Sequence, residues 1–186
     1  MRVYVYGFLK KSTGISLSKK DKNMTFEFDE EYMREALSLA KEAEAIDEVP
    51  VGALIVHNGR VIARAYNTRE STKCATHHAE ILAIEEACRT LGGWRLPETT
   101  IYVTMEPCAM CAGAIVNARI PRVVYGAPDL RFGALGSRLD LAAIGLNHTP
   151  EVTGGVLGDE ARDMLSSYFK AKRVKKTVDK DAELDS

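Results

Sequence analysis

A strand that runs directly into a helix and out into another strand leaves a chain few folds to choose from. Thr99 to Thr104 is such a strand, rich in β-branched and aromatic residues, and it leads into a helix opening at Cys108 behind Pro107. Val123 to Tyr125 supplies the strand that follows. Strand, helix, strand at this spacing requires parallel pairing with a crossover helix, because an antiparallel return needs only a tight turn. Upstream, Val51 to Val56 and Val61 to Ala65 are joined through Asn58-Gly59, the pair suited to a type I′ turn, and predict an antiparallel hairpin. Parallel and antiparallel pairs together predict an α/β fold with a mixed sheet and helices on both faces.

The helices follow from periodicity. After Asp29, read as an N-cap, residues Tyr32, Met33, Ala36, Leu37, Leu39, Ala40 and Ala43 make one apolar stripe, with Arg34, Glu35, Ser38, Lys41 and Glu42 opposite. A second helix runs from about His78 to Leu91 and stops at Gly92-Gly93. Beyond the last parallel strand come a Gly-rich loop from Pro128 to Ser137, a short helix, a strand around Glu151 to Val156, and a closing helix from Asp159. At 186 residues this is one domain, expected over 25–176, between a disordered basic leader (1–24) and an acidic flexible tail (177–186). The leader is expected to be dispensable, with Met24 as an alternative start.

Charge and cysteine usage exclude several classes. A net charge of −1 rules out binding nucleic acid through bulk positive charge, so any such contact needs a local patch; Lys170, Lys172, Arg173, Lys175 and Lys176 form one. No stretch is long and apolar enough to span a bilayer, and Val3 to Leu9 lacks the cleavage pattern of a signal peptide. Four cysteines, two of them three residues apart, do not form a secreted disulfide framework, and a reducing cytoplasm is the expected location.

Cys108 and Cys111 stand i and i+3 at a helix N-terminus, where the helix dipole and unpaired N–H groups favour thiolates, the form that binds metal. Alone, C-x-x-C is open between zinc and redox chemistry. His78-Ala79-Glu80 opens the other helix, on which Glu80, Ile84, Ala87 and Leu91 share the buried face. A carboxylate there requires a partner. His78, Cys108 and Cys111 would supply three ligands to Zn²⁺, one per chain, leaving the fourth tetrahedral position to water or hydroxide, as in catalytic zinc sites. Glu80 is then the candidate catalytic acid and base. His77 is a rival ligand that lacks the acidic residue two positions on, and Cys74 and Cys88 fit no familiar structural zinc spacing.

With these motifs in place, the chain from about Phe28 to Lys176 resembles the bacterial tRNA adenosine deaminases, the TadA family, of the cytidine-deaminase superfamily. The resemblance is carried by Glu48-Val49-Pro50-Val51-Gly52-Ala53, Asn67, His78-Ala79-Glu80, Trp94-Arg95-Leu96, Tyr102 to Cys108, Cys111-Ala112-Gly113, Gly136-Ser137 and Asn147-His148. It implies a cytidine-deaminase-like three-layer α/β/α fold with about five strands and hydrolytic conversion of adenosine to inosine at the tRNA wobble position. It also implies a homodimer, no nucleotide cofactor, and a substrate-binding set. Asn67 would hydrogen-bond the base and the Ala79 amide would lie beside the oxygen that replaces the amine. Asp129, Arg131 and Asn147 would border the substrate. Phe169, after Tyr168 and among the C-terminal cations, would face the anticodon stem-loop, although both aromatics could equally pack the closing helix. Two departures stand out: His77, and the loop Asp129-Leu130-Arg131-Phe132-Gly133. Two other functions stay open, a deaminase of free nucleosides or bases (guanine, cytosine, adenosine) on the same scaffold and a zinc-stabilised RNA-binding module without chemistry.

Overall fold

In the computed structural model, backbone is described for residues 19–184 and side chains for 28–175. The leader up to residue 18, with the Val3 to Leu9 run, lies outside the described residues, as do 185–186. Ten elements follow one another: α1 (Lys19–Ala45), β1 (Gly52–His57), β2 (Arg60–Tyr66), α2 (Arg69–Thr72), α3 (Ala79–Leu91), β3 (Thr99–Met105), α4 (Ala109–Asn117), β4 (Arg122–Ala127), β5 (Glu151–Gly154) and α5 (Gly158–Leu184).

The strands form one sheet in the order β2-β1-β3-β4-β5. β1 pairs antiparallel with β2 and β3, while β3–β4 and β4–β5 are parallel. The β1–β2 turn places Asn58 and Gly59 at φ 50° and 73°, the left-handed pair its sequence demands. Alternation along β1 sorts the core into two layers. Ala53 and Ile55 join Ala83, Ala87, Ala112 and Ile115 on the α3–α4 face, whereas Leu54 and Val56 join Met33, Ala36 and Leu39 of α1 on the other. Each large aliphatic side chain so buried contributes ~1.5–3 kcal/mol. The α1 layer comes close to the sheet because Gly52 has no side chain; a Cβ there would run into the Ala36 carbonyl.

The structure corrects the sequence reading in two places. Asp29 does not cap a helix: α1 begins at Lys19, and Asp29 sits within it, almost fully buried, accepting hydrogen bonds from Arg122 and Tyr102. The short helix expected after Ser137 is absent, its place taken by turns and an isolated bridge between Leu135 and Asp140. Asp140 Oδ1 there accepts the Ala142 amide at 3.0 Å, and the Gly136 and Gly145 φ angles of 134° and 75° oppose a helix. At the C-terminus the backbone of 177–184 continues α5.

Candidate active site

Because β3 and β4 are parallel neighbours with α4 crossing between them on the face that α3 covers, the N-terminal tips of α3 and α4 meet above the sheet. Both tip residues are N-caps with extended backbone, His78 at φ −75°, ψ 152° and Cys108 at φ −70°, ψ 171°. Neither His78 nor Cys108 makes a side-chain cap bond, and imidazole and thiol turn toward each other. Cys111, fully buried on the first turn of α4, completes the group. Pro107 thus precedes the cap rather than starting the helix.

Ligand-capable atoms of His78, Cys108 and Cys111 all lie within 4.8 Å of one another. His78 Nδ1 is 3.8 Å from Cys108 Sγ and 3.6 Å from Cys111 Sγ. A tetrahedral zinc with bonds of ~2.0–2.1 Å to nitrogen and ~2.3 Å to sulfur separates such a pair by ~3.6 Å, so the donor set and its spacing fit that ion. Cys74 and Cys88 stand outside the group: Cys74 contacts Thr76 and Cys88 reaches the Trp94 carbonyl. His77 is also excluded, its Nδ1 lying 2.9 Å from the Thr72 hydroxyl.

The electrostatics of the protein groups favour a thiolate here. A hydrogen bond from Cys111, reinforced by His78, holds Cys108 down to about 4 against its burial. Cys111 is pushed up by the Cys108 sulfur and by burial, and His78 is pushed up by its hydrogen bond with Cys108. Glu80 is 4% exposed on the second position of α3, and burial raises its carboxyl, which shares a hydrogen bond with Cys111. A buried acid whose carboxyl is raised by burial, beside a triad able to hold a metal, is equipped to take and return a proton.

Two carboxylates with no role assigned from sequence organise the surroundings. Glu106, just before Pro107-Cys108 and 2% exposed, accepts the amides of Asp129, Leu135 and Ser137, each at 3.0 Å. It thereby holds the 129–137 loop against the Cys108 tip, where Cys108 and Gly133 form a bridge. Glu48, fully buried, accepts Asn67 Nδ2 at 3.0 Å and the Ser71 amide at 2.6 Å. Burial pushes Glu48 up, but the hydrogen bonds from Ser71 and Glu70 outweigh it and keep the carboxyl below its ordinary range. Hydrophobic periodicity gives no signal for either residue; the only sequence cue is an acid placed directly before Val-Pro or Pro-Cys.

The remaining candidates divide. Ala79 is fully buried at the first position of α3, and Asn67 is buried at the end of β2. Asp129 turns inward to build the loop, its Oδ1 accepting the Arg131 and Phe132 amides, while the Arg131 guanidinium lies exposed over the Phe132 ring at 5.4 Å. Asn147 is not brought to the zinc-type cluster: its Oδ1 accepts from Arg119 at 2.6 Å, beyond the far end of α4 from Cys108. On α5 the two aromatics part company. Tyr168 is buried, donating to the Asp47 carbonyl at 2.9 Å, while Phe169 is exposed.

The sequence profile of the MafB19-like deaminases matches residues 27–171. The tRNA-specific adenosine deaminase of Bacillus subtilis is 50% identical over 149 residues, covering 80% of this chain and 92% of that protein. A solved structure from studies of A-to-I editing by tRNA:A34 deaminases at the wobble position superposes with TM-score 0.69 at 44% identity, covering 72% of this chain and 98% of that one. A guanine deaminase structure from Bacillus subtilis is more distant, with TM-score 0.52 and 31% identity over 63% of this chain and 86% of its own. Identity that extends over nearly the whole of a relative, on the same mixed sheet, makes this chain a member of the tRNA-specific adenosine deaminase family and a hydrolytic deaminase.

Proposed function

We propose that the protein converts adenosine to inosine at the wobble position of tRNA, with water as co-substrate and ammonia as the second product. The observation that carries this reading is the convergence of His78, Cys108 and Cys111 at two helix tips beside the buried acid Glu80. Those three residues would hold one Zn²⁺, and when bound the metal supplies Lewis acidity that lowers the pKa of a water toward ~7. Glu80 accepts the water proton and returns it to the purine ring nitrogen as the C–O bond forms at C6. Glu80 then takes the proton of the new C6 hydroxyl and passes it to the amine, so that the C6–N bond breaks, ammonia leaves and the hydroxyl becomes the C6 carbonyl of inosine. Asn67 holds the base, and the Ala79 amide, one of the unpaired N–H groups at the α3 tip, faces the new oxygen. Asp129 and Arg131 border the opening and Asn147 lies farther out. Phe169, with Lys170 and Arg173, offers an aromatic face and cations to the anticodon stem-loop.

The tRNA-specific names of the similar proteins support this substrate. A homodimer in the cytoplasm is part of the same proposal; no helix among the described residues is long and apolar enough to cross a membrane. The likeness to a guanine deaminase favours one second reading, action on free bases or nucleosides. Incubation with an anticodon stem-loop bearing a wobble adenosine, beside free adenosine, cytidine and guanine, separates the two. Inosine in the stem-loop supports the tRNA assignment, and turnover of the free compounds alone defeats it.

A further inference from the structure

Glu48 lies in the bend between α1 and β1, immediately after Asp47 at φ 65°, and is 0% exposed. A carboxylate removed from water needs donors, and it finds them on the short stretch from the end of β2 into α2: Asn67 Nδ2, the Ser71 amide and the Glu70 amide. The Ser71 bond replaces a missing cap, since Thr68, the N-cap of α2, makes no side-chain cap bond. From α2 the connection continues to the metal-binding tip, because the Thr68 amide bonds the His77 carbonyl at 3.1 Å and the Thr72 hydroxyl meets His77 Nδ1.

For Asn67 the consequence is a fixed roll of the carboxamide. Turning it over would replace an N–H donor with an oxygen facing a carboxylate, losing a charge-assisted bond and adding repulsion. Asn67 Oδ1 accepts no hydrogen bond among the described residues, and no buried polar side-chain atom there lacks a partner, so Oδ1 opens to solvent. With Nδ2 held by Glu48, Asn67 offers a ligand an acceptor beside its second N–H, the complement of a nucleobase edge.

We infer that Glu48 is a positioning residue for base recognition, acting through Asn67 by locking its carboxamide in a single orientation. This rests on the reading of Asn67 as the base contact. A base displaced by ~1 Å from its reacting position loses about 100-fold in rate.

The test is a double-mutant cycle on the full-length zinc-loaded protein, using E48Q, N67A and E48Q/N67A with an anticodon stem-loop carrying a wobble adenosine. E48Q is expected to lower kcat/KM by about 10- to 100-fold, leaving zinc content and stem-loop Kd within about twofold. The double variant should be no slower than N67A alone, because a locked amide that is gone cannot be misplaced. Additive losses, or an E48Q enzyme of undiminished kcat/KM, would overturn the role of Glu48 while leaving the function intact. An N67A enzyme as active as the wild type overturns the base-contact reading and this inference with it, and a wild type without inosine formation overturns the substrate itself. If E48Q does not fold at the assay temperature, E48D enters the same cycle, since it keeps the charge but withdraws the carboxylate by one methylene.

Discussion

Arg122 on β4 donates both arms of its guanidinium to Asp29 on α1, at 2.7 Å each, across 93 positions of sequence. Tyr102 adds its hydroxyl to the same carboxylate at 2.8 Å, so one buried acid joins the outer helix to two central strands. D29A leaves a mostly buried guanidinium without its partner and should cost ~3–5 kcal/mol in unfolding free energy. Urea denaturation measures this, and zinc content of the folded fraction should not change.

E80A should retain zinc and stem-loop binding while inosine formation falls by at least ~100-fold, the loss expected on removing a general acid and base. Deamination persisting near the wild-type rate would remove the proposed role of Glu80. Zinc and RNA bound by a wild type incapable of turnover would instead favour the pure binding module.

Metal content tests the triad directly. The purified protein should carry one zinc per chain by elemental analysis, and C111S should lose both metal and activity. Chelation should lower the Tm, because an ion that binds only the folded state stabilises it by mass action.

At Gly133 an added Cβ would overlap the Glu106 carboxyl carbon and crowd the Asp129 carbonyl. G133A is expected to destabilise the protein by ~1–3 kcal/mol through overpacking. It should also slow deamination, because the displaced group is the clamp on the loop that borders Cys108. Thermal unfolding and a rate assay on the same preparation check both effects.

Acid sensitivity should carry the mark of Glu48. Its carboxyl in the folded protein lies below the ordinary value of 4.5, so its contribution is complete above that value and is lost as pH falls through the lower folded one. The Tm difference between wild type and E48Q should therefore be largest near neutrality and shrink on acidification below about 4.5. A difference that grows with acid would contradict the sign.

How much could be read from sequence depended on the range of the interactions involved. The hairpin, the crossover and the faces of α3 followed from local periodicity and turn chemistry, and the grouping of His78, Cys108 and Cys111, which could hold a metal, from spacings confined to two short segments. Asp29 misled because a residue suited to helix starts serves a partner 93 positions away. Glu48 and Glu106 carried no assigned role for the same reason, since their donors come from loops 19 to 31 residues distant that only the folded chain brings together. The expected helix after Ser137 gave way to Asp140, whose side chain competes for backbone amides that a helix would use. Tyr168 and Phe169, equivalent by sequence, were separated only by α5 packing one inward and leaving the other exposed.

Glu106 grips its loop mainly through main-chain amides, those of Asp129, Leu135 and Ser137, with the Ser137 side chain adding one more hydrogen bond. Such an attachment is indifferent to most side chains the loop displays. Leu130, Arg131 and Phe132, exposed at its rim, can therefore be exchanged without loosening the clamp, so the backbone beside Cys108 keeps its shape whatever those three side chains are.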